Sequence, residues 1–187
     1  MVILILFLLT PTNAELLPEP FEKLEFLYEG TQNCEDFDGD VNMENLSLDQ
    51  IGKNLVALNG DLVFKKELPD DYFMKVTIRR CPSKAERGLC ENMPPKIVND
   101  ICHKLQEKGK DWSPFVEKLE DFVPTCPITP GTYHFEEYVV DMDSLASMPG
   151  MEAYWIIHSE GYIGENMVMC VNTEGEFRAV KENKKKQ

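Results

Sequence analysis

The sequence is short of positive charge, with 19 lysines and arginines against 33 aspartates and glutamates and a formal net charge of -14. Nucleic acids and anionic membranes carry charge of the same sign, so bulk electrostatics opposes binding to either. The one basic run lies in residues 181–187 among polar neighbours, and we interpret it as a disordered, solvated tail. The composition therefore predicts no nucleic-acid partner.

Motifs typical of enzymes are also missing. The chain has no G-x-S-x-G elbow, no G-x-G-x-x-G turn and no P-loop. His158, Ser159 and Glu160 carry the groups that acyl transfer uses, but neighbouring positions on a strand point to opposite faces, so His158 and Ser159 cannot meet. We predict no catalytic residue and no cofactor, and a secreted enzyme is the least favoured function.

Metal-ligand spacings are equally scarce. No pair of cysteines has the C-x-x-C spacing, and the three histidines, His103, His134 and His158, do not complete a zinc set. Oxygen-bearing side chains alternate in one acidic segment as they do in a calcium loop: Asp36, Asp38, Asp40, Asn42 and Asp49. Met43 stands where the turn glycine of such a loop belongs. We therefore predict a solvated acidic loop and no metal site.

Long hydrophobic runs are confined to the start of the chain, where residues 2–9 are apolar and uncharged. A membrane span needs roughly 20 apolar residues, so this run is too short to cross a bilayer. With Thr12 and Ala14 at the spacing of a cleavage site, residues 1–14 have the character of a signal peptide. We predict cleavage after Ala14, a single domain over residues 15–180, and a secreted location, with the extracellular space and the lysosomal lumen both open.

Six cysteines follow the leader, and an even number suits three disulfides in an oxidising compartment. They are Cys34, Cys81, Cys90, Cys102, Cys126 and Cys170. The sequence alone leaves fifteen pairings open. The sequon Asn45-Leu46-Ser47 is a candidate glycan acceptor, which predicts a surface position for Asn45.

Alternating apolar residues predict most of the secondary structure. Residues 72–79 alternate with a period of two and form the clearest strand. Val56, Leu58, Leu62 and Phe64 share a phase across residues 59–60, which leaves open a tight hairpin turn or a glycine kink within one long strand. Further strands are predicted over residues 132–141, 153–159, 166–171 and 176–180.

Two short helices are predicted between these strands. The first starts at Pro94 and Pro95 and ends at Gly109, with Ile97, Ile101 and Leu105 recurring at every fourth position. The second starts at Ser113 and stops at Pro124, and its buried residues are Phe115, Leu119 and Phe122. The predicted fold class is mostly β: two antiparallel sheets that face each other as a sandwich or cup, with one or two short helices inserted.

The segment CPITPGTY at residues 126–133, with EYVV at 137–140 and the later Cys170, resembles the closing half of proteins of the ML lipid-recognition superfamily. The ganglioside activator protein belongs to that superfamily, and the insect CheB-like secreted proteins are similar to it. The resemblance covers about residues 30–180. It implies disulfides joining Cys34 to Cys170, Cys81 to Cys90 and Cys102 to Cys126. The fourth disulfide of the ganglioside activator has no counterpart, because this chain lacks its two cysteines.

The resemblance also implies an immunoglobulin-like β-cup whose apolar cavity accepts acyl chains. The implied function is a secreted, non-enzymatic carrier or presenter of a lipid or other long apolar ligand. One alternative is an activator that presents glycolipid to a hydrolase, with a hydrolase or receptor as partner and transient membrane contact. Another is transport of hydrocarbon-like molecules in contact chemosensation.

On this interpretation, inward-facing apolar residues line the cavity. They are Val56, Leu58, Leu62, Phe64, Met74, Val76, Ile78, Ile101, Phe115, Leu119, Phe122, Tyr133, Phe135, Trp155, Ile157, Met167 and Met169. Leu145, Met148 and Met151, in a segment interrupted by a Pro-Gly pair, are expected to form its rim. Tyr133, Trp155 and His158 are candidates for ligand selectivity. A filled sandwich core is the alternative for all of these apolar faces.

Overall fold

Within the described part of the chain, nine strands form two antiparallel sheets, which confirms the predicted mostly β class. The computed structural model describes residues 24–179, so the predicted signal peptide (1–14) and basic tail (181–187) lie outside the described residues. The strands are β1 (Leu24–Asn33), β2 (Val41–Gln50), β3 (Leu55–Phe64), β4 (Phe73–Cys81), β5 (Glu91–Asn92), β6 (Lys96–Val98), β7 (Gly131–Asp141), β8 (Ala153–Ile163) and β9 (Asn166–Ala179). The α-helices are α1 (Ile101–Gln106), α2 (Ser113–Lys118) and α3 (Asp143–Ala146), and a 3-10 helix spans Lys84–Leu89.

The larger sheet has the strand order β1-β9-β8-β4-β5, with β6 also paired to β4. The smaller sheet has the order β2-β3-β7. One cluster of buried apolar side chains includes residues of both sheets and of the helices between β6 and β7. Since both sheets contribute their inward faces to this cluster, the core lies between them.

The strand β4 follows directly from its sequence pattern. Met74, Val76 and Ile78 are buried in the core, while Lys75 and Thr77 between them are half-buried on the outer face. The alternation therefore predicts both the strand and its inward face, as the period of two requires.

The open question at residues 59–60 is resolved in favour of a single strand, because β3 continues through Gly60. The register between β3 and β7 shifts between Leu58 and Gly60. A Cβ atom on Gly60 would lie 2.7 Å from Leu46 Cδ2 and 3.2 Å from Phe135 Cζ, which is closer than packed carbon atoms normally approach. Glycine is therefore required here because the Phe135 ring lies against the backbone of β3.

Three predicted boundaries need correction. The helix expected from Pro94 begins at Ile101 instead, and residues 96–98 form β6, which pairs with β4 and leaves Ile97 53% exposed. The edge of β4 supplies the hydrogen bonds that a strand needs, and this pairing outweighs the helical spacing of Ile97, Ile101 and Leu105. The segments 166–171 and 176–180 are parts of one strand, β9, and β8 extends beyond residue 159 to Ile163.

The strands β1 and β2 were not predicted. Leu24, Phe26 and Tyr28 alternate along β1, which forms the edge of the larger sheet beside β9. The buried side chain of Asn54 accepts a hydrogen bond from the Phe26 N–H at 2.8 Å and donates to Asp143 Oδ1 at 2.7 Å. One polar side chain thus holds the start of β1 against the segment that leads into α3.

Three disulfides connect these elements. They join Cys34 to Cys170, Cys81 to Cys90 and Cys102 to Cys126, with Cα–Cα distances of 5.3, 4.0 and 5.7 Å. These are the pairings that the resemblance implies, and they are compatible with an oxidising, extracellular or luminal compartment. Within residues 24–179, none of the helices has the length and apolar character needed to cross a bilayer.

Candidate functional site

Two separate apolar cavities lie between the sheets. The first cavity has a volume of about 40 Å³ and lies where β1 and β9 of the larger sheet face β3 and β7 of the smaller one. The second cavity, of about 30 Å³, lies at the other end of the interior, under α1 and α2. Both are partly open to solvent. Typical small-molecule sites enclose roughly 300–1,000 Å³, so each cavity is small by comparison.

A plug of side chains separates the two cavities. Val56 and Leu58 of β3 line the first cavity and Leu62 lines the second, with Gly60 and the Phe135 ring between them. Phe135 is 1% exposed, and its ring meets the Phe115 ring edge-on at a centroid distance of 5.3 Å. The interior is therefore filled at its middle and hollow at both ends.

The predicted ligand-pocket residues divide into three groups. Those that line the first cavity are Val56, Leu58, Trp155 and Ile157, together with the predicted rim residue Met151. Those that line the second cavity are Leu62, Phe64, Ile101, Phe115, Leu119 and Phe122. Those that line neither cavity are Met74, Val76, Ile78, Tyr133, Phe135, Met167 and Met169.

The third group corrects the sequence interpretation. Except for the half-buried Met167, these side chains are buried in the core cluster. Tyr133, for example, packs edge-on against Phe122 at a centroid distance of 4.9 Å, and its hydroxyl donates to Thr129 O at 2.9 Å. These residues face inward as expected, but other side chains already occupy the space in front of them.

Two of the three rim residues also need correction. Residues 143–146 form α3 rather than an open loop, and Leu145 in this helix is buried in the core cluster. Met148 is half-buried and packs against that cluster without lining either cavity. The single turn of α3 therefore buries Leu145, although the turn-rich sequence around it predicts an exposed loop.

Several lining residues were missed, and most of them lie on the second half of β9, on segments that connect the secondary-structure elements, or on the unpredicted strands β1 and β2. In the first cavity they are Phe26, Tyr28, Leu48, Val140, Met142, Thr173, Glu174, Gly175 and Phe177. In the second cavity they are Leu68, Tyr72, Leu105, Trp112 and Ile128. The alternation of Leu24, Phe26 and Tyr28 could have predicted β1, and with it the lining side chains of Phe26 and Tyr28.

Each cavity contains one of the two tryptophans of the protein. Trp155 in the first cavity donates its indole N–H to Met151 O at 2.9 Å. Trp112 in the second donates to Lys104 O at 2.8 Å. Both rings are therefore held by a backbone carbonyl, with their apolar faces left to the cavity walls.

His158, a candidate for selectivity, does not line either cavity. Its Nδ1 lies 2.8 Å from Asn172 Oδ1, and its Nε2 lies 3.6 Å from a carboxylate oxygen of Glu160. Ser159, its neighbour on β8, is buried on the inward face. The two side chains occupy opposite faces of the strand, which agrees with the argument against a catalytic pair.

The acidic segment before β2 pairs with lysines. Asp38 forms an ion pair with Lys65, and a carboxylate oxygen of Asp40 lies 3.1 Å from Lys66 Nζ. The side-chain nitrogen of Asn42 donates a hydrogen bond to Gly39 O at 3.1 Å. Within residues 24–179, the side-chain groups close enough to share an ion each include a disulfide-bonded cysteine, which is not available as a thiolate ligand.

A polar cleft of about 290 Å³ lies on the outer face of the larger sheet. Lys84 pairs with Glu29 there, and Arg87 pairs with Glu174, which also accepts the hydroxyl hydrogen of Tyr154. Burial, followed by the Glu174 hydrogen bond, raises the pKa of Tyr154. The charges that line this cleft are already matched, so it offers no net charge to a ligand.

Asn45, the predicted glycan acceptor, is exposed at an irregular position of β2, where the register with β3 shifts between Glu44 and Ser47. Its side-chain nitrogen donates to Asp61 Oδ2 at 2.5 Å. The surface position that the sequon requires is therefore present, and glycosylation itself stays a prediction.

A charged triad lies beside Asn45 on the outer face of the smaller sheet. His134 Nδ1 lies 2.7 Å from Asp61 Oδ1, and its Nε2 lies 3.2 Å from Glu136 Oε1. The hydrogen bond with Asp61, followed by that with Glu136, raises the pKa of His134 above 6.5. Hydrogen bonds from Asn45 and then His134 lower the pKa of Asp61.

The first prediction concerns this histidine. A raised folded-state pKa gives a stabilising contribution that is complete below the unfolded value and is lost as the pH rises through the folded value. We therefore expect His134→Gln to lose stability relative to wild type below pH 6.5 and to match it in alkaline solution. Urea unfolding across this pH range measures the difference, with the exposed His103→Gln as the control. Equal losses at acid and alkaline pH would contradict the ion-pair role.

No family model matches the sequence, and no curated protein matches it either. The resemblance to the ML superfamily therefore stays a prediction based on the CPITPGTY segment and the cysteine positions. The two-sheet architecture and the three disulfides stand independently of that resemblance, on the structure itself.

Proposed function

We propose that the protein is a secreted, non-enzymatic carrier that takes up an apolar ligand between its two sheets. The first cavity is the observation that supports this proposal most strongly. Its walls consist almost wholly of carbon, it is partly open to solvent, and it lies beside the filled centre of the core. Sites of this kind, largely preformed and apolar, are typical of proteins that bind small molecules.

The lining residues also indicate how the cavity is reached. Tyr28, Leu48 and Glu174 are its half-buried wall residues, and the two apolar ones among them come from β1 and β2, one from each sheet. The opening therefore lies on the side of the sandwich where these two strands pass each other. A ligand that enters there meets Met142 and Met151, whose unbranched side chains can adapt to its shape.

Charge arguments favour a neutral ligand. Glu174 is the one charged side chain among the lining residues, and Arg87 and Tyr154 hold its carboxylate on the outer face of the sheet. A buried charge on the ligand would have no partner, which makes its transfer from water costly. The cavity thus fits an uncharged apolar molecule.

The hydrophobic free energy available limits the size of the ligand. Each methylene removed from water contributes about 0.8 kcal/mol, so about ten methylenes contribute roughly 8 kcal/mol. Association costs about 4–15 kcal/mol, so a ligand of this size exceeds only the lower part of that range. Since the cavity is small, a long chain must also displace side chains. We therefore expect a compact or medium-length ligand rather than a long acyl chain.

The two tryptophans allow a direct binding test. The variant Trp112→Phe retains Trp155 as the reporter of the first cavity, and Trp155→Phe retains Trp112 as the reporter of the second. A brominated fatty alcohol of about ten carbons should quench Trp155 fluorescence in a saturable manner, because bromine quenches only a nearby indole. Organic extraction of the secreted protein and mass spectrometry would then identify the natural ligand.

A matched pair of variants tests whether the first cavity is the site. Val140 lines the cavity, whereas its neighbour Val139 is 46% exposed on the outer face of β7. Val140→Phe should fill the cavity and weaken binding at least tenfold, while Val139→Phe should leave the affinity unchanged. Absence of Trp155 quenching, or equal affinity of the two variants, would rule out the proposal.

A further inference from the structure

The Cys102–Cys126 disulfide joins two parts of the wall of the second cavity. Cys102 lies in α1, which contributes Ile101 and Leu105 to that wall. Cys126 lies in the segment between α2 and β7, two residues before Ile128, which also lines the cavity. The bridge therefore ties α1 to the segment beside it and holds the helix over the second cavity.

The two sulfur atoms of this bridge differ in their surroundings. Cys102 is 1% exposed, whereas Cys126 is half-buried between the exposed residues Thr125 and Pro127. Gln106 is exposed as well, and its side-chain N–H donates to Cys126 Sγ with 2.9 Å between nitrogen and sulfur. Disulfide exchange requires access to the sulfur that is attacked. Cys126 is therefore the end of the bridge that an external thiol can attack.

A carboxylate and an imidazole lie beside the same sulfur. A carboxylate oxygen of Asp70, a ring nitrogen of His103 and Cys126 Sγ all lie within 4.8 Å of one another, and Asp70 and His103 are both exposed. An imidazole can take the proton of a thiol, and the thiolate that results is the nucleophile in exchange. A neighbouring carboxylate stabilises the imidazolium that forms. The N–H of Gln106 stabilises negative charge that spreads onto the sulfur of Cys126.

The other two disulfides within residues 24–179 lack this combination. Arg87 O lies 2.9 Å from Cys90 Sγ, and a carbonyl oxygen repels an approaching thiolate. His158 Nδ1 lies 4.0 Å from Cys34 Sγ, but this imidazole is half-buried, and the same nitrogen is already bonded to Asn172 Oδ1 at 2.8 Å. We therefore expect the Cys102–Cys126 bridge to exchange before the others.

We propose that Cys126 is a site of reversible modification by a small thiol, and that this modification loosens α1 over the second cavity. His103 takes the proton of the thiol, and the thiolate sulfur attacks Cys126 Sγ. A new S–S bond forms to Cys126 while the bond to Cys102 breaks, and the electron pair of that bond leaves on Cys102 Sγ, which takes up the proton that His103 releases. The reverse attack by Cys102 expels the thiol and restores the bridge. Since the protein has a net charge of -14, an uncharged thiol is favoured over an anionic one.

The order in which the disulfides open tests the site. Brief treatment with mercaptoethanol, alkylation of free thiols and peptide mass spectrometry should show the adduct on Cys126 and alkylated Cys102, roughly tenfold or more ahead of either other bridge. Gln106→Met keeps the length of the side chain but removes its N–H, and should slow this step about three- to tenfold, as loss of one hydrogen bond provides. His103→Gln should slow it as well, because the proton acceptor is lost. The control Gln32→Met, at an exposed glutamine of β1, should leave the rate unchanged.

Trp112 reports whether α1 is loosened. It lines the second cavity, and its indole N–H donates to Lys104 O of α1 at 2.8 Å. In Trp155→Phe, the emission of Trp112 should move to longer wavelength at the rate at which the adduct forms, and removal of the thiol followed by reoxidation should reverse the change. In Trp112→Phe, the emission of Trp155 should stay constant during the same treatment.

Three results would overturn the inference, and none of them depends on ligand binding in the first cavity. If another disulfide opens first or at an equal rate, Cys126 is not the preferred site. If the adduct forms on Cys126 while the emission of Trp112 stays constant, the bridge does not hold α1 over the cavity. A rate in Gln106→Met or His103→Gln equal to that of wild type would remove the role assigned to that side chain.

Discussion

Replacing Phe135 with alanine should destabilise the protein by about 3–5 kcal/mol and leave a gap at the centre of the interior. Phe135 is almost completely buried, and its ring fills the space between the backbone of Gly60 and the ring of Phe115. The Gly60 main chain is held within β3, and the Phe115 ring also packs edge-on against Tyr138, so neither neighbour is free to fill the gap. Urea unfolding of the variant measures the loss of stability.

The control for this variant is a phenylalanine outside the core. Phe73 is half-buried on the outer face of β4 and stacks on Tyr162 at a centroid distance of 5.4 Å. Phe73→Ala should cost clearly less, because solvent can occupy the space that the ring leaves. A similar loss in both variants would show that the centre of the interior is not rigidly packed.

The same substitution should change which ligands bind. With Phe135 in place, the filled centre of the interior should exclude a long-chain brominated alcohol, so Trp155 should stay unquenched in the Trp112→Phe background. Adding Phe135→Ala to that background should admit the same alcohol and lead to quenching of Trp155. Loss of stability without quenching of Trp155 would mean that Phe135 does not limit ligand length.

Removing the Cys34–Cys170 disulfide should have an effect of similar size. The two cysteines are 136 residues apart, so the bridge greatly restricts the unfolded chain. Loop-entropy arguments give about 5 kcal/mol for a loop of this length, within the 2–5 kcal/mol commonly measured. The double variant Cys34→Ser, Cys170→Ser should therefore be strongly destabilised in urea.

The Cys81–Cys90 disulfide provides the matched comparison, because its cysteines are only nine residues apart. The same loop-entropy argument predicts that its removal costs roughly 2 kcal/mol less than removal of Cys34–Cys170. Ligand affinity should also fall more in the Cys34–Cys170 variant, since that bridge follows β1, which contributes Phe26 and Tyr28 to the first cavity. An equal or larger cost for the short loop would contradict the entropic explanation.

The structure changes the expected scale of the ligand. A resemblance to lipid-recognition proteins implies one hollow for a long acyl chain, whereas the interior consists of two small cavities separated by Phe135. A carrier built in this way suits a compact apolar molecule unless the ligand displaces the plug. The Phe135 variants test the length of what the cavity accepts.

Local sequence patterns were sufficient for part of this architecture. The alternation along residues 72–79 predicts β4 and its inward face, because successive side chains of a strand point to opposite sides. The strands β3, β7 and most of β8 and β9 follow in the same way. The strand β1 was within reach of the same rule, while β6 formed where a helix was predicted, because the edge of β4 offered it hydrogen bonds.

Only the tertiary structure decided which inward-facing side chains fill the centre of the interior and which line a cavity. Phe135 and Trp155 are both large, apolar and inward-facing, yet Phe135 fills the centre and Trp155 lines the first cavity. Period-two alternation sets the direction of a side chain, but the opposite sheet determines whether another atom already occupies that space.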